Sequence, residues 1–219
     1  MSLPGRSQAP NILLRPEQYA RRSAPRRYGG ELHGSVRQCT YFQSSPGDAM
    51  TFSFLCATCN ELHYGMPSFG AEAPFSYYQI PPEDLERRCS LGSDDCVIDE
   101  RQFFVRACLE IPVHGYEEPF SWGVWLSLSE SSYREWARTF GAAQRSHVGP
   151  FFGWLNTRLH GYPDTLNLKT MVHLRDNGIR PYVELERTDH PLALEQGSGI
   201  SPDRVAQIFR ELVHPEGSA

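Results

Sequence analysis

Asn177-Gly178, set between two runs that alternate apolar and polar residues, constrains the fold of this chain more than any other feature. An Asn-Gly pair suits a two-residue type I′ turn, because both central residues need positive φ. With that pair at the tip, Val172 opposes Val183 and Leu174 opposes Pro181 on one face. On the other face Lys169 opposes Glu186 and His173 opposes Tyr182. A three-residue tip would set Leu174 against Arg180 and mix the faces, which a half-buried sheet does not tolerate. The two-residue register is therefore expected, with strands near 166–175 and 179–186.

The same period of two recurs upstream. Phe103, Val105, Ala107 and Leu109 share one face of a strand near 102–111. Trp122, Val124, Leu126 and Leu128 repeat the pattern near 121–128, and 151–155 reads as a short strand or buried turn. Helical signals flank these runs. A helix is expected over 82–91, and another over 129–140, where Ser129 begins a cap sequence and Tyr133, Trp136, Ala137 and Phe140 recur at three-to-four spacing. The best-specified helix follows Ser201 as N-cap, with Pro202 at N1 and Ile200 placed to staple Val205. Val205, Ile208, Phe209, Leu212 and Val213 form its apolar stripe, and His214-Pro215 ends it. The fold class expected is α+β: a mainly antiparallel sheet with flanking helices and an N-terminal zinc-knuckle-like turn.

The chain divides near residue 50. Before it, prolines and glycines interrupt every periodicity, so residues 1–50 read as a flexible basic tail and 51–215 as a single domain. Residues 1–50 carry seven arginines against three acids, a surplus of four; with a net charge of −5 for the whole, the remainder carries −9. An acidic body argues against an extended nucleic-acid footprint, which needs clustered cations. The tail arginines are scattered among Pro, Ser and Gly and read as solvated. Apolar content of 40% and charged content of 21% are those of an ordinary globular domain. Lys169 is the single lysine among 21 basic residues, a skew that points to a GC-rich bacterial coding sequence. No apolar run approaches the roughly 20 residues of a membrane span. The opening Met1-Ser-Leu-Pro-Gly-Arg6 lacks a charged and then apolar leader, so a cytoplasmic location is expected. Six cysteines there read as thiols or metal ligands rather than disulfides.

Cys56-Ala-Thr-Cys59-Asn-Glu-Leu-His63 carries the sharpest chemical signal. A C-x-x-C turn lets two sulfurs face one ion, and His63 follows closely enough to join them, so structural Zn²⁺ is the expected cofactor. The bland reading is a pair of packed thiols beside a surface histidine. A redox pair fits less well, since Asn60, Gly65 and Pro67 do not open the helix such a pair needs. For the fourth ligand we select Cys96, because Asp94-Asp95-Cys96 reads as a polar loop entering a strand. Cys89 and Cys108 read as core thiols on a helix and a strand, and Cys39 and His33 fall in the tail.

Two further constellations stand out. Glu110 and Glu130, which flank the Trp-rich strands, and the Asp189-His190 pair could serve a hydrolase or transferase, although an adjacent Asp-His in a loop is more often a turn. Trp125 and Ser127 fall on the strand face opposite Trp122, and Trp125 among small neighbours would line a shallow binding groove unless a helix covers it. Together Trp125, Ser127, Glu110, Asp189 and His190 make the candidate binding face. No G-x-S-x-G, H-E-x-x-H, P-loop or dinucleotide fingerprint occurs.

Phe54-Leu-Cys-Ala-Thr-Cys-Asn-Glu-Leu-His63, Asp95-Cys-Val-Ile-Asp99, Cys108-Leu-Glu-Ile-Pro-Val113, Phe120-Ser-Trp-Gly-Val-Trp-Leu-Ser-Leu-Ser-Glu130, Gly161-Tyr-Pro-Asp-Thr-Leu-Asn-Leu-Lys169 and Thr188-Asp-His-Pro-Leu-Ala193 together resemble the bacterial family known as domain of unknown function 2199. The resemblance covers about residues 52–213. It implies an intracellular bacterial domain with a C-x-x-C near its start, and it brings no established activity with it. The function expected is a zinc-stabilised binding or interaction domain without catalysis, of partner or immunity type, whose partner is another protein. A metal-dependent or Asp/His-based hydrolase or transferase is the alternative.

Overall fold

The computed structural model describes residues 51–214. The expected tail, residues 1–50, lies outside them. Strands β1 (Ser53–Leu55) and β2 (Leu62–Tyr64) form a small antiparallel hairpin, and β3 (Ser68–Gly70) follows. Two 3₁₀ turns over Phe75–Gln79 and Pro82–Asp84 lead to one turn of helix, α1 (Leu85–Arg88). Then come β4 (Cys89–Leu91), β5 (Asp95–Ile98), β6 (Gln102–Ile111) and β7 (Phe120–Leu128). The remainder is α2 (Glu130–Thr139), β8 (Phe151–Leu155), β9 (Lys169–His173), β10 (Tyr182–Leu185), α3 (Pro191–Ser198) and α4 (Pro202–Val213).

The fold is α+β, but its sheet is not a plain antiparallel one. Strands β6 to β10 form an antiparallel meander, each strand reversing the last. After five such strands the first and last run the same way, so closing the sheet on itself requires a parallel pair. That pair is Tyr182 with Cys108, where Cys108 N donates to Pro181 O at 2.8 Å. The result is a five-stranded barrel, extended beyond β6 by β5 and β4 and beside β7 by the parallel strand β3. Closure gives β10 and part of the β6 edge a partner where a flat meander would leave both open.

The alternation expected from sequence decides what fills the barrel. Val105, Ala107, Leu109 and Ile111 of β6 join Trp122, Val124, Leu126 and Leu128 of β7 in the main core. Leu155, Val172, Val183 and Leu185 complete it from the other three strands. The Asn-Gly hairpin has the expected register, with Val183 opposite Val172 and Tyr182 opposite His173. Asn177 and Gly178 both take positive φ, 57° and 72°.

Helix α2 is capped by Ser129, whose side chain accepts from Ser132 N, and α4 by Ser201, which accepts from Arg204 N. The helix expected over 82–91 is cut short. Cys89 leaves it in extended geometry, and Cys89 to Leu91 pair with Ile98 to Cys96 instead. A ladder of sheet bonds outweighs the weak helix preference of Cys and Ser.

Candidate metal centre

The loop joining β1 to β2 is built around Cys56 and Cys59. Cys56 N donates to Glu61 O at 2.9 Å, and Asn60 N donates to Cys56 O at 2.8 Å. Asn60 takes φ 56°, the left-handed conformation that asparagine tolerates and most residues resist. This tight reversal turns both thiols inward. Burial by itself would raise the Cys56 thiol, but the backbone N–H groups of Cys59 and Thr58 aimed at the sulfur hold it below its ordinary value. Burial raises the neighbouring Cys59 thiol. The first sulfur is thus already set in the field of donors that a thiolate ligand requires.

His63 enters from β2. It stands opposite Phe54 in the hairpin, and its Nε2 lies 3.3 Å from Cys59 Sγ. Its ring stacks on Phe54 with centroids 5.3 Å apart and meets Phe209 of α4 at 4.5 Å. Those aromatic contacts dock α4 onto the hairpin, and the docking delivers a residue that sequence spacing does not reveal. His214, the residue capping α4, brings a ring nitrogen to within 4.8 Å of both thiols. Cys59, Glu61 and His63 make a second group on the same scale, sharing Cys59 with the first. Zinc bonds of about 2.0–2.3 Å place tetrahedral ligand atoms roughly 3.3–3.8 Å apart, so each of these two overlapping groups, spanning up to 4.8 Å, is somewhat wider than one ion's coordination sphere. His214 Nε2 is also buried without a hydrogen-bond partner among the described residues. A buried imidazole nitrogen in that state is a costly arrangement unless something ligates it.

Cys96 does not join this cluster. It lies on β5 between Leu91 and Phe104, fully buried with Ala71, Ile98, Phe104 and Trp125. Burial pushes its thiol up to about 12, the reverse of what a ligand needs. The polar Asp94-Asp95 pair reads as a loop, but β5 already begins at Asp95, and alternation sends Cys96 into the core.

The candidate binding face is also rearranged. Trp125 is 0% exposed; its Nε1 donates to Ala71 O at 3.0 Å, and Tyr77 and Ile80 pack over its cluster. The expected groove is filled by the segment after β3 and its 3₁₀ turn at Phe75–Gln79, not by the helix after β7. Ser127 is half-buried opposite Phe104 and Trp154, and Glu110 is engaged by Arg175 at 2.6 Å. His190 caps α3, its Nδ1 accepting from Leu192 N, so its imidazole already has a structural task beside exposed Asp189. These residues do not converge on one site.

Among the described residues, no helix is long and apolar enough to cross a membrane. A family model described as uncharacterised protein conserved in bacteria, domain of unknown function 2199, matches residues 55–200. No curated protein and no solved structure matches the chain.

Proposed function

For a chain that belongs to the bacterial family of domain of unknown function 2199, we propose a non-catalytic interaction module, held together by one Zn²⁺ bound to Cys56, Cys59, His63 and His214. The observation that carries this reading is the approach of His214 to the paired thiols, with its Nε2 buried and otherwise unpartnered among the described residues. Two thiolates and two imidazoles suit zinc among the common divalent ions. Four protein ligands close the coordination sphere and leave no position for a reacting water, which favours a structural over a catalytic metal. When bound, the ion supplies a cross-link and a charge that keeps the thiols deprotonated. The chain does the rest: the backbone amides orient Cys56, Phe54 and Phe209 hold the His63 ring, and the apolar residues around them exclude water.

The acidic body and the missing catalytic fingerprints support an interaction role, with another protein as partner and the reducing bacterial cytoplasm as the setting. Elemental analysis of the full chain, purified without chelator, tests the metal. About one equivalent of zinc is expected, released together with a loss of thermal stability on chelation. A metal-free protein whose stability ignores chelators overturns the reading.

A further inference from the structure

An aromatic surface lies open on the outside of the barrel, remote in sequence from the metal cluster and sharing no residue with it. Strand β8 turns Phe152 and Trp154 outward, 46% and 39% exposed, their rings edge to face with centroids 5.1 Å apart. Beside Trp154 lies a shallow depression of about 180 Å³, with Asn167, Lys169, Glu186, Thr188 and Ala193 also on its wall. Lys169 is the cross-strand neighbour of Trp154, and its Nζ lies 3.2 Å from Glu186 Oε2. Asn167 is fixed at φ 60° by the bond from its N to Leu155 O. The rim therefore sets an amide, an ammonium, a carboxylate and a hydroxyl beside a flat apolar plate.

That combination discriminates among ligands. An anion would meet Glu186 and a cation would meet Lys169. An apolar segment would bury both charges away from water, at a cost their mutual attraction does not reliably offset. A neutral ligand with adjacent hydroxyls, each able to donate and accept, can bond to both members of the pair without breaking it. Its C–H face can lie on the indole. We propose that this surface binds a saccharide, with one neutral pyranose ring stacked on Trp154 and its hydroxyls bonded to Asn167, Lys169 and Glu186. This goes beyond the metal-stapled module and does not depend on it.

The test is a titration of isotope-labelled full-length protein, followed by amide and indole NMR signals, with glucose, galactose, mannose and N-acetylglucosamine in turn. At least one sugar should produce saturable shifts at the Trp154 indole, Asn167, Thr188 and Ala193. Trp154→Ala should abolish them. Lys169→Met, which keeps the side-chain stem, should weaken binding about tenfold. Phe140→Ala, at an exposed ring outside the depression, should change nothing. Zinc content measured on the same samples keeps the two readings separate, since Trp154→Ala should leave it unaltered. If none of the four sugars gives saturable shifts, or if binding survives in a folded Trp154→Ala variant, the proposal is overturned.

Discussion

His214 and Cys56 stand 158 positions apart in the chain (214 − 56), yet a ring nitrogen of one lies within 4.8 Å of the sulfur of the other. The hairpin supplies the thiols, α4 supplies the imidazole, and Phe209 against Phe54 (centroids 5.0 Å) aligns the two elements.

Replacing His214 should therefore act like replacing a cysteine. His214→Ala is expected to lower zinc content and thermal stability as Cys59→Ser does, by several kcal/mol of lost metal-linked folding energy. Cys96→Ser should leave metal content unchanged while destabilising the core, because it puts a hydroxyl into an apolar cluster. Elemental analysis beside thermal melts distinguishes the two. Equal zinc loss in His214→Ala and Cys96→Ser would contradict the ligand set.

These residues show where sequence is informative and where it is not. The Asn177-Gly178 register is readable because turn chemistry and alternation are local and agree with each other. The Cys56–Cys59 pair is readable because both thiols sit in one short turn. His214 is not: nothing in a histidine that ends an amphipathic helix indicates which surface the helix will meet. Barrel closure is hidden for the same reason, since it rests on Tyr182 finding Cys108 far upstream. Cys96 and Trp125 mislead in a different way. Their neighbours look polar or small, but the segment around Ala71 covers them, and that covering is tertiary. Helix α3 gives little local signal because it is short, contains Gly197, and is capped by a histidine rather than one of the usual cap residues.

The half-buried carboxyl of Asp95 predicts a pH effect. Burial raises it above the usual carboxylate range, and neighbouring Asp94 adds to this, although the Tyr133 hydroxyl donates to it at 2.7 Å. An acid raised in the folded state favours folding while protonated. That contribution is lost as pH climbs through the folded-state value. Asp95→Asn keeps an acceptor for Tyr133 without the charge. It should be more stable than the parent at neutral pH, with the gap closing as pH falls into the acid range. Denaturation midpoints across pH check this; a constant gap, or a less stable variant at neutral pH, would contradict it.

Two glycines should respond to alanine for different reasons. Gly178 sits at φ 72° with open space where a side-chain carbon would stand, so Gly178→Ala should cost only the left-handed penalty, about 1–2 kcal/mol. At Gly153 the added carbon would lie 2.9 Å from the Ser127 carbonyl oxygen, inside the β7–β8 ladder. Gly153→Ala should cost more, approaching about 3 kcal/mol, because backbone must move. Urea unfolding gives the order directly.

Trp125 provides a check on the filled groove. Trp125→Phe removes the bond to Ala71 O and leaves a void, so a loss of about 2 kcal/mol is expected. No surface interaction should change, because no part of the indole reaches solvent. A variant of undiminished stability would mean the segment at Ala71 packs loosely over the barrel.

The parallel pair that seals the barrel has a consequence for synthesis. A ribosome delivers β6 long before β10, and until Tyr182 arrives that part of the β6 edge has no neighbour. The seam at Cys108, and in the proposed metal centre the imidazole of His214, both wait for segments made after β6 and the paired thiols. A nascent polypeptide stalled between them and the hairpin holds reduced thiols and an open strand edge together, the state most exposed to oxidation and to mispairing with a neighbouring chain.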